Sequence, residues 1–408
     1  MDNVTHTLVG ALLGETAARS ASPLADPRAR DVRRSLFMAV MIVGSNLPDS
    51  DLLYSFGSGD KLRYLLEHRG HTHTVLGALL GSALMLAAWQ MWQRWRKMPL
   101  RAHDQAILIA LAVLAPLLHI AMDACNSYGV HPWWPFDNRW LYGDSVFIVE
   151  PLLWAATAAP LAFLLRSRIA RGAMVLVLLV GLYLALVTGM ATRGSIAAYG
   201  VLTAIMLAVG WKTRPRTALG VAIMSCIAIV AVFAIASREA SARLDAYADA
   251  HITRWKTLDR ILTPMPMNPL CWDVILVQEE DDRYVLRRAI LSLAPGMQCP
   301  TRTVDGEIMA PLTGVVLPDT PFVHWHGEVI ASRDRLRSLV ATSCEASAFM
   351  RFARAPWLSL DDAPSTIGDL RFDRERALGF AELALGGAGR CPSYVPPWLP
   401  PRADLLER

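Results

Sequence analysis

Six stretches of this chain, roughly 75–93, 106–124, 146–165, 173–191, 195–211 and 217–236, are apolar over the length a helix needs to cross a bilayer. No other feature restricts the fold as much, because backbone polar groups in lipid have to be satisfied within the segment, which consecutive apolar runs achieve as helices. Two shorter apolar stretches precede them, at about 4–18 and 35–48. These are short for full crossings and read as half-inserted, tilted or packed among the others. The expected fold class is an all-α polytopic membrane helical bundle, with about six long spans plus two short N-terminal helices, carrying a C-terminal soluble α+β domain.

The connecting loops set an expected orientation. Arg94, Arg96, Lys97 and Arg101 follow the first long span, Arg166, Arg168 and Arg171 the third, and Lys212, Arg214 and Arg216 the fifth. The intervening loops carry only Arg139 and Arg193. By the positive-inside rule the basic loops are cytoplasmic. The 125–145 loop, with Trp133, Trp134 and Trp140 as an interfacial aromatic belt, then faces outward. So does everything after Ala236, which is periplasmic in a bacterial inner membrane.

Composition separates the two halves. The chain is 53% hydrophobic and 19% charged. That average hides a membrane-like part, 1–236, and ordinary soluble sequence at 237–408. A net charge of +4 without a long basic run excludes a nucleic-acid footprint. The opening Met1-Asp2-Asn3 lacks a positive region, which argues against a cleaved signal peptide.

In the tail, 238–260 reads as an amphipathic helix leaving the membrane, and "TPMPMNP" (263–269) as a proline-punctuated linker. "CWDVILVQ" and "RYVLRRAILSL", separated by "EEDD", read as a hairpin. "TGVVLP" is a third strand candidate, 331–354 looks helical, "DLRFD" forms another strand, and "PSYVPPWLPPR" an extended tail. Cys271, Cys299, Cys344 and Cys391 fit one or two disulfides in an oxidising compartment, or four free buried thiols.

Metal-capable side chains gather near the expected outer ends of the apolar segments. They are His6 in "VTHTL", Asp49 and Asp51 in "NLPDSD", His68, His71 and His73 in "HRGHTHT", and His119 and Asp123 in "LLHIAMD". His119 and Asp123 are four apart and share a helix face. Pro48 ends the preceding helix and leaves Asp49 and Asp51 in a loop or cap. His71 and His73 point different ways on a regular helix, so not all three histidines of that motif are ligands. Ionisable groups at span ends are costly unless paired, solvated or used. Imidazole and carboxylate together favour zinc, manganese or iron over calcium. More than four candidates suggests two ions, or one ion plus a catalytic base. His103, His131, His251, His324 and His326 read as surface residues.

"VTHTLVGALLGE", "GSNLPDSDLL", "HRGHTHTVLGALL", "LLHIAMDACNSYGVHPWWPFDNRW" and "DSVFIVEPLLW", in that order, resemble the YdjM-type family, described as metal-dependent hydrolases of the inner membrane. The resemblance covers roughly 1–165, and two pieces of the tail are similar to the C-terminal extension of longer members. It implies His6, Asp49, His68, His73, His119 and Asp123 as the metal positions. It also implies a distant helical kinship with zinc-dependent phospholipase C and related nucleases, hence phosphoester substrates by fold analogy. The sequence departs from the family at His71, usually apolar, and at Glu150, where Asp is expected before the proline. Asp137 and Asp144 lie in the same outer loop and read as solvated carboxylates, or as groups orienting a histidine.

The expected function is a membrane-bound hydrolase using a divalent metal, zinc first and manganese or iron next, one or two ions. Asp51 or Glu150 is the expected base, and a phosphoester or lipid-linked molecule at the outer face the expected substrate. The alternatives are a metal-stabilised scaffold whose tail binds a partner, and metal handling. A transporter would place its ionisable groups near the midplane between repeats, and no repeat is apparent.

Overall fold

The computed structural model describes residues 1–55, 60–96, 100–300, 310–315, 317–359, 365–373, 378–386 and 391–407. Lys97 of the first basic loop and Val316 of "TGVVLP" lie outside them. The N-terminal half is a helical bundle and the C-terminal half an α+β domain. The bundle helices are α1 (Asn3–Ser20), α2 (Pro27–Gly44), α5 (Val75–Arg96), α6 (Ala102–Asp123), α7 (Pro151–Leu164), α8 (Arg168–Val187), α9 (Arg193–Lys212) and α10 (Pro215–His251). Two small helices, α3 (Leu52–Ser55) and α4 (Lys61–Glu67), lie between α2 and α5.

Five of these helices, not six, are long and apolar enough to span: α5, α6, α8, α9 and α10. The expected third span shortens to the 14 residues of α7. Its upstream residues form an irregular segment instead, with Ser145 and Val146 N–H groups donating to Cys125 O and Asp2 N–H to Ile148 O. α7 needs no full span because protein rather than lipid surrounds it; Ala155, Ala156, Ala158, Ala159 and Leu161 have no exposed surface. Both N-terminal helices are longer than the apolar runs suggested, at 18 residues each.

α1 lies against α2 through "VGALLGE". A Cβ on Gly10 would stand 2.8 Å from Met41 O, and one on Gly14 2.9 Å from Phe37 O. Small residues four apart let two backbones approach this closely, and the approach carries His6 toward the end of α2.

The helix ends sort by charge. Arg33 pairs with Asp104, Arg34 with Glu15, and Arg19 and Arg34 donate to Leu164 O. Arg216 donates to Arg19 O. The starts of α2, α6 and α10 therefore meet the ends of α1 and α7 at one basic end. The opposite ends carry the Asp and His residues and the α+β domain.

α10 joins the last expected span to the amphipathic helix expected at 238–260, which ends at His251 because 256–260 belong to a strand. It runs unbroken for 37 residues, about 55 Å at 1.5 Å per residue, far more than the ~30 Å hydrocarbon core. No Gly or Pro interrupts 221–251. Ala240, Leu244 and Tyr247 of its outer part pack on Trp272, Val274 and Leu291 of the sheet.

That sheet is an antiparallel meander of β1 (Lys256–Met265), β2 (Asn268–Glu280), β3 (Arg283–Ser292) and β4 (Val323–Ser332). The hairpin expected from "CWDVILVQ" and "RYVLRRAILSL" is β2–β3, turning at Asp281 with φ 48°. "TPMPMNP" is not a linker but the β1–β2 turn and its flanks. Pro264 is tolerated because β1 is an edge strand. The remaining strand of this sheet is not "TGVVLP", where Thr313 makes a single bridge to Glu328, but the "VHWHGEVIAS" run.

The expected helix 331–354 divides into α11 (Arg333–Thr342) and α12 (Cys344–Phe349) at Ser343, whose hydroxyl caps the second by accepting from Ala346 N–H. A second sheet joins β5 (Pro356–Ser359), β6 (Thr366–Asp369) and β7 (Glu382–Ala384), so "DLRFD" contributes only its first residue to a strand. The proline-rich tail is extended, as expected, and ends in a short helix, α13 (Ala403–Leu406). Cys271–Cys299 and Cys344–Cys391 are disulfides.

The two halves share a core. Leu62, Leu65 and Leu66 of α4, with Tyr128, cluster with Phe349, Phe352 and Trp357. The fully buried Trp398 donates its Nε1–H to Leu66 O. The C-terminal segment thus lies directly on the loop that carries His68 to His73.

Candidate metal centre

Pro48 opens a single 3-10 turn, Pro48–Asp51, directly after α2. It places two carboxylates on either side of one imidazole. Asp49 Oδ1 is 3.2 Å from His73 Nε2, and Asp51 Oδ2 is 3.3 Å from His73 Nδ1. His73 is held there by its own loop. α4 ends at His68, Arg69 takes φ 59°, and a second 3-10 turn spans His71–His73. Thr74 then caps α5, its hydroxyl donating to His71 O and accepting from Gly77 N–H, both at 2.8 Å. A Cβ on Gly77 would stand 2.2 Å from His71 O; only glycine lets α5 start so close to the turn.

His119 and Asp123 occupy the last turn of α6, with His119 Nε2 3.5 Å from Asp123 Oδ2. Pro116 lies one turn earlier and cannot donate to Ala112 O. Ser82 Oγ of α5 shares its proton between that carbonyl, at 2.9 Å, and Ala78 O of its own helix, at 2.7 Å. α1 delivers His6, whose ring stacks on His119 at 3.7 Å and whose Nε2 is 3.2 Å from Asp123 Oδ1. Asn3 Nδ2–H donates to Asp49 Oδ2 at 2.8 Å, which leaves Asp49 Oδ1 toward the imidazoles.

Two groups have the spacing of ligand sets. One atom each from Asp49, His73, His119 and Asp123 lie within 4.8 Å of one another, and so do atoms of Asp49, Asp51 and His68. All of these residues are buried or nearly so. The imidazole tautomers test whether a cation fits. His119 Nδ1 is 2.6 Å from Ser45 O, an acceptor only, so it carries the proton. His73 Nδ1 faces Asp51 and the Thr72 hydroxyl, which itself donates to Asp51. With both rings neutral the two Nε2 atoms are lone-pair acceptors, and they stand 3.1 Å apart. A cation between them satisfies both, and a mixed imidazole–carboxylate set suits zinc, manganese or iron.

Burial raises the Asp49 carboxyl, but hydrogen bonds and charge from His119 and His73 outweigh it and hold the group well below the usual carboxylate range. Asp51 is likewise held low against burial by His68 and His73. Burial lowers His73, yet Asp49 and Asp51 overcome it and raise the group. At His68 burial outweighs Asp51 and lowers the group.

The structure brings His6, Asp49, Asp51, His68, His73, His119 and Asp123 together at one end of the bundle. It places two others elsewhere. His71 points away, its ring 4.6 Å from Trp134 and its Nε2 3.4 Å from Tyr394 OH. Glu150 caps α7 through Leu152 N–H and also accepts Met267 N–H of the β1–β2 turn, so it ties the bundle to the sheet. Asp144 is not a solvated carboxylate: it is buried and pairs with Arg354 through two 2.9 Å hydrogen bonds. His131 is not on the surface either. It lies between Trp140 and Trp398, where burial pushes its pKa down to about 3.

Sequence reasoning missed Arg69. Its guanidinium is 2% exposed, meets both Asp123 oxygens at 3.1 Å, donates to Asn126 Oδ1 at 2.9 Å and lies over the Tyr128 ring. The signal was available, since an arginine at the mouth of a span is as costly as the histidines beside it. The backbone nitrogen of Met1 also contacts Asp123 Oδ1.

Residues 1–194 match the family model described as YdjM inner membrane protein. A protein of Bacillus subtilis (strain 168) named YfhP, described as uncharacterized, is 26% identical over 165 residues. That alignment covers 40% of this chain and 46% of YfhP, so the chain spans about half the length of the curated relative it matches. No solved structure matches.

Proposed function

We propose that this chain, which belongs through residues 1–194 to the YdjM inner membrane protein family, is a membrane-bound metal-dependent hydrolase acting on a phosphoester or lipid-linked substrate. The observation that carries the reading is the pair of imidazole lone pairs facing each other inside two buried carboxylates. Asp49, His73, His119 and Asp123 would hold the ion; Asp51 and His68, which with Asp49 also have ligand spacing, are kept for proton transfer rather than for a second ion. His6 backs His119 by stacking. A divalent ion there supplies Lewis acidity and lowers the pKa of the water it holds.

The remaining chemistry falls to the chain. Asp51 accepts from Arg69 N–H and Thr72 Oγ–H and faces both His68 and His73. It fixes the two rings, and His68 is the member with some solvent access, at 11%. We assign proton transfer to His68, oriented by Asp51, in place of Asp51 acting directly. Arg69 balances Asp123 and presents positive charge where an anionic substrate would arrive. Glu150 serves as a structural clamp. By the loop-charge asymmetry, the metal end and the α+β domain face the periplasm, and the two disulfides support that compartment.

Burial of the centre favours a second reading, in which the ion staples α1, α6 and the two turns without chemistry. The test is metal analysis of the purified full-length protein, followed by hydrolysis assays with bis(p-nitrophenyl) phosphate and with phospholipids. Bound ion with hydrolysis that disappears in His68→Ala, while metal content stays, supports the hydrolase. Bound ion with no turnover on any phosphoester leaves the staple.

A further inference from the structure

From the basic end along their lengths, α2 and α5 part and leave a groove of about 660 Å³. Val32, Ala39 and Val43 of α2 form one wall, and Met85, Trp89 and Trp92 of α5 the other. From Val32 to Val43 the wall is about 16 Å long at 1.5 Å per residue. That is about half of the ~30 Å hydrocarbon core, the depth of one leaflet. A second cavity of about 460 Å³ shares Val32 and Trp89 with the first, so the two adjoin.

The second cavity is more polar than the first and carries basic side chains. Arg28, Arg33 and Arg101 line it with Asp26 and Asp104. Asp26 is used in capping α2, and Asp104 pairs with Arg33. Arg28 and Arg101 have no ion-pair partner among the described residues. Two buried donors are also left over: Arg33 Nε, on a side chain 5% exposed, and Trp89 Nε1 have no hydrogen-bond partner among the described residues. An apolar slot one leaflet deep therefore ends in a cluster of unused cationic and N–H donors, and lone-pair oxygens of an anion complement that cluster.

We propose that α2 and α5 hold one anionic phospholipid from the leaflet on the basic-loop side. An acyl chain lies along Ala39 and Val43. The phosphate sits against Arg28 and Arg101, with Trp89 Nε1–H donating to a phosphate or ester oxygen. The site is independent of the metal centre and of any hydrolysis there.

The test uses full-length protein in neutral detergent, mixed with phosphatidylglycerol or with phosphatidylcholine of the same chains. Retained lipid is counted by native mass spectrometry. Wild type is expected to prefer phosphatidylglycerol by about tenfold or more, the order that two basic side chains give against anionic lipid. Arg28 and Arg101 are exposed, so R28A/R101A folds and loses the preference. Ala39 also faces outward; Ala39→Trp fills the slot and loses the retained lipid with both arginines present. Equal retention of the two lipids by wild type overturns the proposal. So does a preference that survives R28A/R101A or Ala39→Trp. Displacement of phosphatidylglycerol by millimolar glycerol 1-phosphate also overturns it, because the site would then take a free phosphate.

Discussion

His73 Nε2 and His119 Nε2 stand 3.1 Å apart, each with its other ring nitrogen committed to an acceptor. The backbone carbonyl of Ser45 fixes one ring and Asp51 the other. Neither imidazole can rotate its proton into the gap without losing a buried hydrogen bond. The arrangement is set before any ion enters, and removing one ring should abolish metal retention. His119→Ala is expected to lower affinity by at least the ~100-fold that loss of an outer partner can cost. Metal content per chain after gel filtration measures it. Wild-type stoichiometry in the variant would show that the ion sits elsewhere.

Asp51 touches the centre chiefly through other residues, which makes a graded prediction. Asp51→Asn keeps the shape but weakens acceptance from His73 Nδ1–H. Metal affinity should fall about 10–100-fold, the usual cost of losing a carboxylate behind a ligating histidine. Because His73 and His119 remain, excess metal should restore full occupancy. Competition with a fluorescent chelator gives the number. An unchanged affinity would remove Asp51 from the set that orients the ligands.

Arg69 and the ion share the task of neutralising Asp123. Arg69→Ala leaves that carboxylate buried without its guanidinium partner, and breaking such a pair costs about 3–5 kcal/mol. A bound divalent cation supplies the missing charge. The loss of stability should therefore be large in chelator and much smaller with metal present. Tryptophan-monitored melting of wild type and variant, with and without EDTA, reads the difference directly. Equal destabilisation in both conditions would mean that Arg69 and the ion do not act on the same carboxylate.

The centre was legible in the sequence where each residue paid a visible penalty for its place. His6, His73, His119 and Asp123 stand out because apolar runs surround them, and Asp49 because Pro48 stops a helix beside it. Arg69 was hidden by its neighbours: between histidines it reads as a spacer, and only the φ of 59° turns its side chain inward. Glu150 was misplaced for a related reason. A carboxylate before proline is both a candidate base and a helix cap, and the second acceptor role, toward Met267 N–H, depends on a turn 117 residues away. The same long-range pairing hid β1, whose prolines read as a linker until an edge position makes them harmless. The outer half of α10 was legible as an amphipathic helix, but its end was placed at 260 instead of His251 because β1 shows itself only through its pairing with β2.

Cysteine chemistry offers a check on both topology and the fold of the tail. Of six cysteines, Cys125 and Cys226 are free and the other four are paired. Protein denatured without reductant should label at two thiols and, after reduction, at six. Four or six labelled thiols before reduction would place the α+β domain in a reducing compartment and reverse the orientation argued from the basic loops.

The Cys344–Cys391 bridge should matter most at the metal loop. Cys391 begins the segment that runs to Trp398, whose ring packs at 5.0 Å from His71 and 3.9 Å from His131. Arg351 Nη1–H donates to Trp398 O, and Leu399 N–H to Asn138 O, so the strap is sewn down along its length. The bridge closes a sequence separation of 47, worth about 4 kcal/mol by the chain-entropy argument. In C344S/C391S, amide exchange across 391–407 should quicken first, then exchange in the His68–His73 loop, while β2 and β3 keep their protection. Loss of protection in the central strands at the same rate would show that the bridge stabilises the whole domain rather than the strap over the histidines.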